Sequence, residues 1–253
     1  MYREINRKRI LLENRKPYRR EWVDEINRME TLDFIISVMK AAGECLERER
    51  IEEILDGGFF PEVRLSLYVR IQNCQDVLAE MRNMREMGTS LSAAVAGKLF
   101  RVLTGKQDSL RVEDSIGAFG FRAVPAEEVG KRLEIFMNWI TRDGELYETV
   151  NPLETEELAE NPSNFVLRAA YLHEYFLEIW PYEEANAEMA LVLMYYYLLA
   201  KGYPIFSLSC SAEEYRTAAS EYLRGGGMES FSSLIARSLF NRMELLMQMT
   251  AAE

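Results

Sequence analysis

The sequence predicts an all-α fold, a helical bundle that carries one small β-hairpin. Hydrophobic residues make up 48% and charged residues 28% of the 253 positions, which is enough apolar surface for one large domain or two small ones. Strand-like alternation is rare along the chain, whereas apolar residues recur at helical spacing. Residues 105–124 are the exception, because they combine three glycines with β-branched and aromatic residues, as hairpins do.

Each expected helix is marked by apolar residues three and four positions apart and by a capping or terminating residue. In order, the elements are 2–30 with a break near Pro17, 32–42 ended by Gly43, 47–55 ended by Gly57 and Gly58, 63–86, 91–103 capped by Ser90 or Ser92, 125–141 opened by Pro125, a short helix near 154–158, 164–179 capped by Asn164, 188–201 ended by Gly202 and Pro204, 211–223 capped by Ser209 or Ser211, and 229–249.

The segment 188–201 is apolar on nearly every side, and such a helix must be enclosed by other helices. We therefore expect it at the centre of the bundle, with the loop at 180–187 at its N-terminal end. Helix N-termini present free N–H groups and partial positive charge, so they favour anions. A phosphate site would be built at this loop.

The basic residues are concentrated at the start of the chain. Residues 1–20 hold eight Lys or Arg and two Glu, a net charge of +6; the whole chain carries −11, so the remainder carries −17. We interpret residues 1–30 as a basic helical extension exposed to solvent. Docking on its own body, on a second copy or on an acidic partner remain open alternatives.

Cysteine usage and hydropathy indicate a cytoplasmic protein. The three cysteines, Cys45, Cys74 and Cys210, lack metal-ligand spacing and read as reduced thiols. No signal peptide is expected, and the longest apolar run is too short to span a bilayer. The overall acidity disfavours nucleic acid as a partner.

Residues 180–191 read WPYEEANAEMAL and resemble the H-P-F-x-[D/E]-G-N-G-R-x-x-R motif of the Fic/Doc (Fido) family. The flanks LHEYFLEI and LLAKGYPI, and the later SAEEYRTAASEYLRGGGMESFSSLI, are similar to the family's surrounding helices. Residues 105–125 resemble its flap hairpin, with Arg111, Ile116 and Gly117 in matching positions. KAAGECLERERIEEILDG resembles the segment around its inhibitory helix. The resemblance covers roughly residues 30–235.

The resemblance implies a Fic-like domain over residues 31–253, with its flap at about 105–124. In active members the motif histidine deprotonates a target hydroxyl, the acidic residue holds a divalent cation, and the arginines hold nucleotide phosphates. The glycines and the asparagine form the anion hole. The usual reaction transfers AMP from ATP to a Ser, Thr or Tyr of a target protein, and some members transfer other phosphate-containing groups. Glu184 stands at the metal position and Asn186 at that of the asparagine.

Most of the motif is altered in this chain. Trp180 stands at the histidine position, and an indole only donates, so it cannot act as a general base. Glu188 and Leu191 replace the two arginines; a carboxylate about 4 Å from a phosphate charge is repelled by roughly 4 kcal/mol. Ala185 and Ala187 replace the glycines, and alanine disfavours positive φ and narrows the anion's approach. ATP and Mg²⁺ are therefore expected to bind weakly or not at all, and the cofactor is unknown.

The retained residues also have structural explanations. Asn186 is a good helix N-cap, and the three glutamates of the loop, Glu183, Glu184 and Glu188, stabilise a helix dipole. We predict that Glu188 occupies the helix N-terminus in place of a phosphate. His173 lacks a nearby nucleophile and is interpreted as a packed structural residue.

The inhibitory element of the family is altered as well. In many members a helix bearing [S/T]-x-x-x-E-[G/N] places a glutamate on the second arginine of the motif. Alignment on Gly43 puts Val38 at the Ser/Thr position and Ala42 at the glutamate. Both partners of the inhibitory ion pair are therefore missing.

These observations leave three hypotheses. The first is a Fic-fold protein that has lost adenylylation and acts as a binding or regulatory pseudoenzyme. Its protein partner would pair with the flap edge at residues 109–117. The target-binding residues expected there are Arg111, Ser115, Ile116 and Gly117.

The second hypothesis is a Fic-type transferase with non-standard chemistry, which moves a nucleotide- or phosphate-containing group onto a protein or small-molecule hydroxyl. Glu184 would bind metal, Asn186 would hold an oxyanion, and Glu183 or Glu188 would act as base. The third hypothesis makes the basic arm the functional part, with the body as a platform for homo-oligomers.

Overall fold

The computed structural model describes residues 1–44, 46–141 and 165–251, and within them it contains ten α-helices and no β-sheet. The predicted all-α fold is therefore confirmed. The helices are α1 (Tyr2–Asn14), α2 (Arg20–Ala41), α3 (Arg48–Leu55), α4 (Leu65–Glu86), α5 (Ala93–Thr104), α6 (Val129–Thr141), α7 (Phe165–Ile179), α8 (Asn186–Ala200), α9 (Ala212–Leu223) and α10 (Glu229–Met249).

Local capping explains several of these boundaries. The Ser92 hydroxyl accepts a hydrogen bond from the backbone N–H of Val95 at 3.2 Å and so begins α5. Ser211 and Glu214 form a reciprocal capping box at the start of α9. Gly105, with φ 69°, ends α5 in the left-handed conformation.

Helix α8 lies at the centre of the bundle, as its composition predicts. Helices α2, α4, α5 and α7 pack around it. Every residue of α8 is buried except Ala187 and Ala200. The loop before α8 therefore lies at the end of the most enclosed element of the fold.

The basic arm docks on the body of its own chain. Helix α1 packs along α10 and buries Ile5 and Leu12. Lys8 forms an ion pair with Glu244, and Arg15 donates to the backbone carbonyl of Met247 at 2.7 Å. A solvated extension was therefore the wrong expectation, because α1 has an apolar stripe that the charge count does not register.

The break expected near Pro17 separates α1 from α2. Helix α2 then continues without interruption through residue 30. The boundary expected between residues 30 and 31 thus lies inside a helix, and the two segments share a continuous backbone element.

Residues 105–124 do not form a confirmed hairpin. Ile116 and Arg122 make one isolated antiparallel bridge around a short 3₁₀ turn, and Leu110 pairs instead with Tyr182 of the motif loop. Pairing is limited because the side of the segment near Leu110 is hydrogen-bonded to that loop and not to the returning chain. We continue to call residues 105–124 the flap segment.

Several expectations can be placed briefly. The short helix near 154–158, the cap at Asn164 and the thiol of Cys45 lie outside the described residues. Cys74 and Cys210 are free thiols. Among the helices of the described ranges, none has the length and apolar character needed to cross a bilayer.

Candidate functional site

The loop between α7 and α8 is closed by the side chain of Asn186. The Tyr182 backbone N–H donates to Asn186 Oδ1 at 2.9 Å, and Asn186 Nδ2 donates to the Tyr182 carbonyl at 2.7 Å. Asn186 is the first residue of α8 and is only 1% exposed, while Ala185 occupies the cap position. The expectation of an Asn186 N-cap is therefore wrong, because its amide is engaged in holding the loop.

The two alanines at the glycine positions occupy different backbone conformations. Ala185 has φ 56° and ψ 21°, in the left-handed region that favours glycine. Ala187 lies within the first turn of α8. The cost of about 1–2 kcal/mol for an L-residue in the left-handed conformation therefore applies to Ala185 alone.

The loop is fixed against α5 and the flap segment. The buried ring of Tyr182 stacks on Phe100, with centroids 4.1 Å apart and planes 27° apart. The backbone N–H of Arg111 donates to the Pro181 carbonyl at 2.9 Å beside the Leu110 bridge. The loop is thus packed against α5 on one side and hydrogen-bonded to the flap segment on the other.

Glu188 lies in the first turn of α8, where a phosphate would bind the helix N-terminus. Glu188 is 7% exposed, and its Oε1 accepts a hydrogen bond from Arg70 Nη2 at 2.9 Å. Burial raises the pKa of this carboxyl, while its own backbone N–H and Arg70 oppose the rise. The structure therefore places this carboxylate at the helix N-terminus, as predicted from the sequence.

Arg70 belongs to a short chain of alternating charges. Its Nη1 lies 3.7 Å from Glu44 Oε1, and Arg64 Nη2 donates to both oxygens of the same Glu44 at 2.9 and 3.0 Å. Sequence reasoning missed Arg70, because 118 positions separate it from Glu188 and helical periodicity carries no information on such pairing. Nothing in the spacing of α4 indicates this role.

Glu44, Arg70 and Glu188 line a pocket of about 240 Å³. It lies between the C-terminal ends of α2 and α5, one face of α4, and the loop before α8. Its charged lining consists of Glu44, Arg70, Glu184 and Glu188. Val38, at the position aligned with the inhibitory Ser/Thr, also contributes to the wall. Three carboxylates against one guanidinium make the pocket unfavourable for a polyphosphate.

Glu184 stands at the position where the resemblance implies a divalent cation. Its Oε1 is 2.6 Å from Lys106 Nζ. In the described parts of the chain, no group of three or more His, Cys, Asp or Glu side chains is arranged to hold a metal ion. The two pocket carboxylates that belong to the motif, Glu184 and Glu188, are each paired with a cationic side chain. The residues present therefore do not fit a metal ion.

The remaining motif positions carry neither an imidazole nor a cationic side chain. Trp180 is half-buried with φ 50°, and its carbonyl accepts a hydrogen bond from Arg111 Nε at 2.7 Å. Leu191 is buried within α8. Glu183 is exposed on the outer side of the loop.

Arg111 is enclosed beneath the flap segment. Its guanidinium donates to backbone carbonyls on both sides of it, those of Glu113, Val124, Ile179 and Trp180. Burial lowers the pKa of this guanidinium. Arg111 therefore joins the flap segment to the motif loop and is not presented to a target.

The other expected target-binding residues lie at the surface. Ile116 is 65% exposed, and Ser115 donates from its hydroxyl to the Ile116 carbonyl at 3.1 Å. Gly117 packs close to the ring of Trp180, since a Cβ added there would lie 3.5 Å from Trp180 Cδ2. The flap segment thus links an exposed edge to the residue at the altered base position.

His173 has the packed structural position expected for it. The ring is fully buried against Phe231, and its Nε2 lies 2.9 Å from the hydroxyl of Tyr215. Burial lowers the pKa of His173 to about 3 and raises that of the adjacent Glu174 well above its usual range. Glu174 Oε2 has no hydrogen-bond partner among the residues that the structure describes. We therefore interpret the contact between His173 Nδ1 and Glu174 Oε1 at 3.1 Å as one between neutral groups.

Comparisons with known proteins agree with this geometry. Residues 92–198 match the model of the Fic/DOC family. A Fic domain containing signaling protein from Bacteroides thetaiotaomicron has a similar structure, with a TM-score of 0.78 and 16% identity over 98% of this chain and 96% of the other. No curated protein matches the sequence.

Two further solved structures share the fold. Fic-1 from C. elegans gives a TM-score of 0.77 with 14% identity, over 98% of this chain and 71% of the other. A Fic family protein from Desulfovibrio desulfuricans gives 0.68 with 15% identity, over 100% and 76%. At such identities these likenesses show the fold alone. The family match and these likenesses support a Fic/DOC-family domain over residues 92–198, within a chain that has the helical fold of Fic-domain proteins.

Proposed function

We propose that this chain is a Fic-fold pseudoenzyme that acts by binding and no longer transfers AMP. The observation that carries the proposal is the position of Glu188, whose buried carboxylate lies in the first turn of α8 and pairs with Arg70. A phosphate group would have to displace this carboxylate and the guanidinium that holds it. Neither arginine of the motif is available to compensate.

Electrostatics opposes nucleotide binding at the same place. A phosphate about 4 Å from the Glu188 carboxylate would be repelled by roughly 4 kcal/mol at an effective dielectric constant of about 20. Glu44 and Glu184 add negative charge to the same pocket. Because Glu184 is paired with Lys106, it is not free to bring in a compensating metal ion.

The alternative is a transferase with non-standard chemistry. It would need a base among the loop glutamates, of which Glu188 is paired with Arg70 and Glu184 with Lys106. Glu183 is exposed but lies outside the pocket lining. A direct measurement of turnover separates the two functions.

The surface proposed for a protein partner is the outer edge of the flap segment. Val112 is 85% exposed and Ile116 is 65% exposed, so two apolar side chains project into solvent a few residues apart. No backbone partner is found for the N–H of either residue within the described chain. An extended peptide with alternating apolar side chains would pair with this edge as an added strand.

The catalytic half of the proposal is tested with Mg-ATP. We expect no thermal stabilisation of the protein by millimolar Mg-ATP and no labelled product when the protein is incubated with α-labelled ATP and a cell lysate. Glu188→Gln removes the repulsion and serves as a matched variant, in which any residual nucleotide affinity should rise. Clear stabilisation of the unaltered protein together with labelled target would contradict the proposal.

The binding half is tested with a displayed library of extended peptides. Binders should contain alternating apolar residues, and Val112→Asp should weaken them at least about tenfold because a charge then faces an apolar side chain. Val69→Asp, an exposed apolar position on α4, is the matched control. Binders that respond equally to both variants would show that the flap edge is not the docking surface.

A further inference from the structure

A second cleft lies at the opposite end of α8 from the motif loop. It has a volume of about 250 Å³ and is enclosed by α1, α2, α4 and α10 together with the turn after α8. Since α8 has 15 residues at 1.5 Å each, the cleft is about 20 Å from the pocket at Glu188. The basic arm forms one wall, so the cleft exists only because α1 docks on the body.

Basic side chains are concentrated around this cleft, although the protein as a whole is acidic. Four basic side chains line it: Arg9, Lys16, Arg82 and Arg85. Arg82 is paired with Glu30 at 2.9 Å and Lys16 with Glu13 at 2.7 Å. Within the described residues, neither Arg9 nor Arg85 has a carboxylate partner. Among the described residues, Arg9 and Arg85 thus line the cleft without a direct ion pair, although both lie near the Glu13 carboxylate.

The pKa of Glu13 reflects the positive charges around it. It is lowered, first by the hydrogen bond from Lys16, and further by the charges of Lys16, Arg85 and Arg9. Three cations from α1, the following turn and α4 are therefore close enough to act on one carboxylate. Glu86, exposed on the rim, is the one further carboxylate of the lining beyond Glu13 and Glu30.

The floor of the cleft is apolar and ordered. It is made of Leu12, Leu199, Met243 and Leu246 with the rings of Tyr18 and Tyr203. Tyr18 is held by a hydrogen bond from its hydroxyl to the Leu12 carbonyl at 2.9 Å. Arg9 stacks over Tyr203, 5.6 Å from the ring centroid, and donates from Nε to Asn6 Oδ1 at 3.3 Å. Tyr18 and Arg9 are thus held by contacts within the protein.

We propose that this cleft binds a small anionic molecule with an apolar, ring-containing body. The anionic group lies between Arg9 and Arg85, and the body packs on the Tyr18 and Tyr203 rings over the leucine floor. The volume is below the range of about 300–1,000 Å³ that is typical for drug-sized ligands, so the molecule is small. This inference is independent of the pseudoenzyme proposal, because it uses none of the residues of the motif pocket.

The experiment uses two probes of similar shape, naphthalene-1-sulfonate and uncharged 1-naphthalenemethanol, titrated calorimetrically into the full chain at low ionic strength. We expect the sulfonate to bind at least about fivefold more tightly, because only it forms charge-assisted contacts. Arg85→Ala and Arg9→Ala should each lower the affinity for the sulfonate by about fivefold or more. Glu86→Gln should strengthen it, since a repulsive carboxylate is removed.

Two controls separate binding from folding. Arg7→Ala, an exposed position two residues before Arg9, should leave both affinities unchanged, and Arg85→Lys should retain part of the sulfonate affinity. Thermal unfolding of each variant shows whether the arm remains docked. The proposal is overturned if the sulfonate does not bind at millimolar concentration, if both probes bind equally, or if Arg85→Ala leaves the sulfonate affinity unchanged.

Discussion

Arg70 of α4 and Glu188 of α8 form an ion pair, with 2.9 Å between Nη2 and Oε1, inside the pocket where the family motif places an arginine. By the motif resemblance, Glu188 stands where active members carry a cation, and the structure pairs it with a cation from another helix. The charged lining of the pocket therefore consists of three carboxylates and one guanidinium, which disfavours an anionic ligand.

Arg70→Met should destabilise the protein by about 1–2 kcal/mol, because it leaves a buried carboxylate without its partner. Glu188→Gln should cost less, since the half-exposed Arg70 then turns to Glu44 and solvent. In a double-mutant cycle by urea unfolding, we expect a coupling energy of about 1 kcal/mol. Arg64→Ala, at an exposed pair with the same Glu44, is the control and should change stability by under about 0.5 kcal/mol. Additive single effects would contradict the coupling.

Ala185→Gly should stabilise the protein by about 0.5–1 kcal/mol, because glycine adopts φ near 56° without the Cβ penalty. The matched change Ala187→Gly should destabilise by about 0.5–1 kcal/mol, since it introduces glycine within the first turn of a helix. Thermal and urea unfolding of both variants should show changes in stability of opposite sign. Two changes of equal sign would show that strain at Ala185 is not significant.

Arg111→Lys should loosen the flap segment, because an ammonium group cannot reach the set of carbonyls that the guanidinium fork bonds. We expect a stability loss of about 2 kcal/mol. Limited proteolysis should become faster at residues 112–122. Arg122→Ala, which removes only the exposed pair with Asp114, should change neither rate nor stability noticeably. Unchanged proteolysis of Arg111→Lys would exclude the role assigned to this side chain.

The neutral pair of His173 and Glu174 predicts a pH dependence of stability. The pKa of Glu174 is raised in the folded state. Its contribution to the free energy of unfolding is therefore complete below the ordinary pKa of a glutamate, and it is lost as the pH rises toward the raised pKa of the folded state. The pKa of His173 is lowered to about 3, so its contribution is present above about pH 6.5 and is lost as pH falls. Between the two ordinary values the opposite slopes cancel.

Above pH 6.5 only the Glu174 contribution remains. The free energy of unfolding should fall by up to about 1.4 kcal/mol per pH unit relative to Glu174→Gln, which cannot release a proton. Urea unfolding at pH 6.5, 7.5 and 8.5 compares the two slopes. Glu213→Gln, an exposed carboxylate on α9, should keep the slope of the unaltered chain. Parallel slopes for Glu174→Gln and the unaltered chain would show that Glu174 is ionised in the folded state.

The expectation that the basic arm drives self-association stays a prediction. The apolar face of α1, with Ile5 and Leu12, is already covered by α10 of the same chain. The arm also contributes Arg9 and Lys16 to the second cleft. Within one chain the arm therefore both packs against α10 and lines the second cleft.

The sequence alone determined the helical class, most helix boundaries and the central position of α8, because apolar periodicity and capping are local properties read from neighbouring residues. It also placed Glu188 at the helix N-terminus, since a short loop fixes which residue begins the next helix. The departures of Trp180, Leu191 and the two alanines from the family motif were also visible in the sequence, because the motif is compared position by position.

Tertiary structure decided what those residues contact. The pairing of Arg70 with Glu188, the enclosure of Arg111 and the docking of α1 on α10 join positions that are far apart in sequence. Such contacts depend on how helices pack, and one sequence encodes that packing only through the sum of many weak interactions. For this reason the altered loop was visible in the sequence, whereas the cation that satisfies it and the second cleft became visible only in the folded chain.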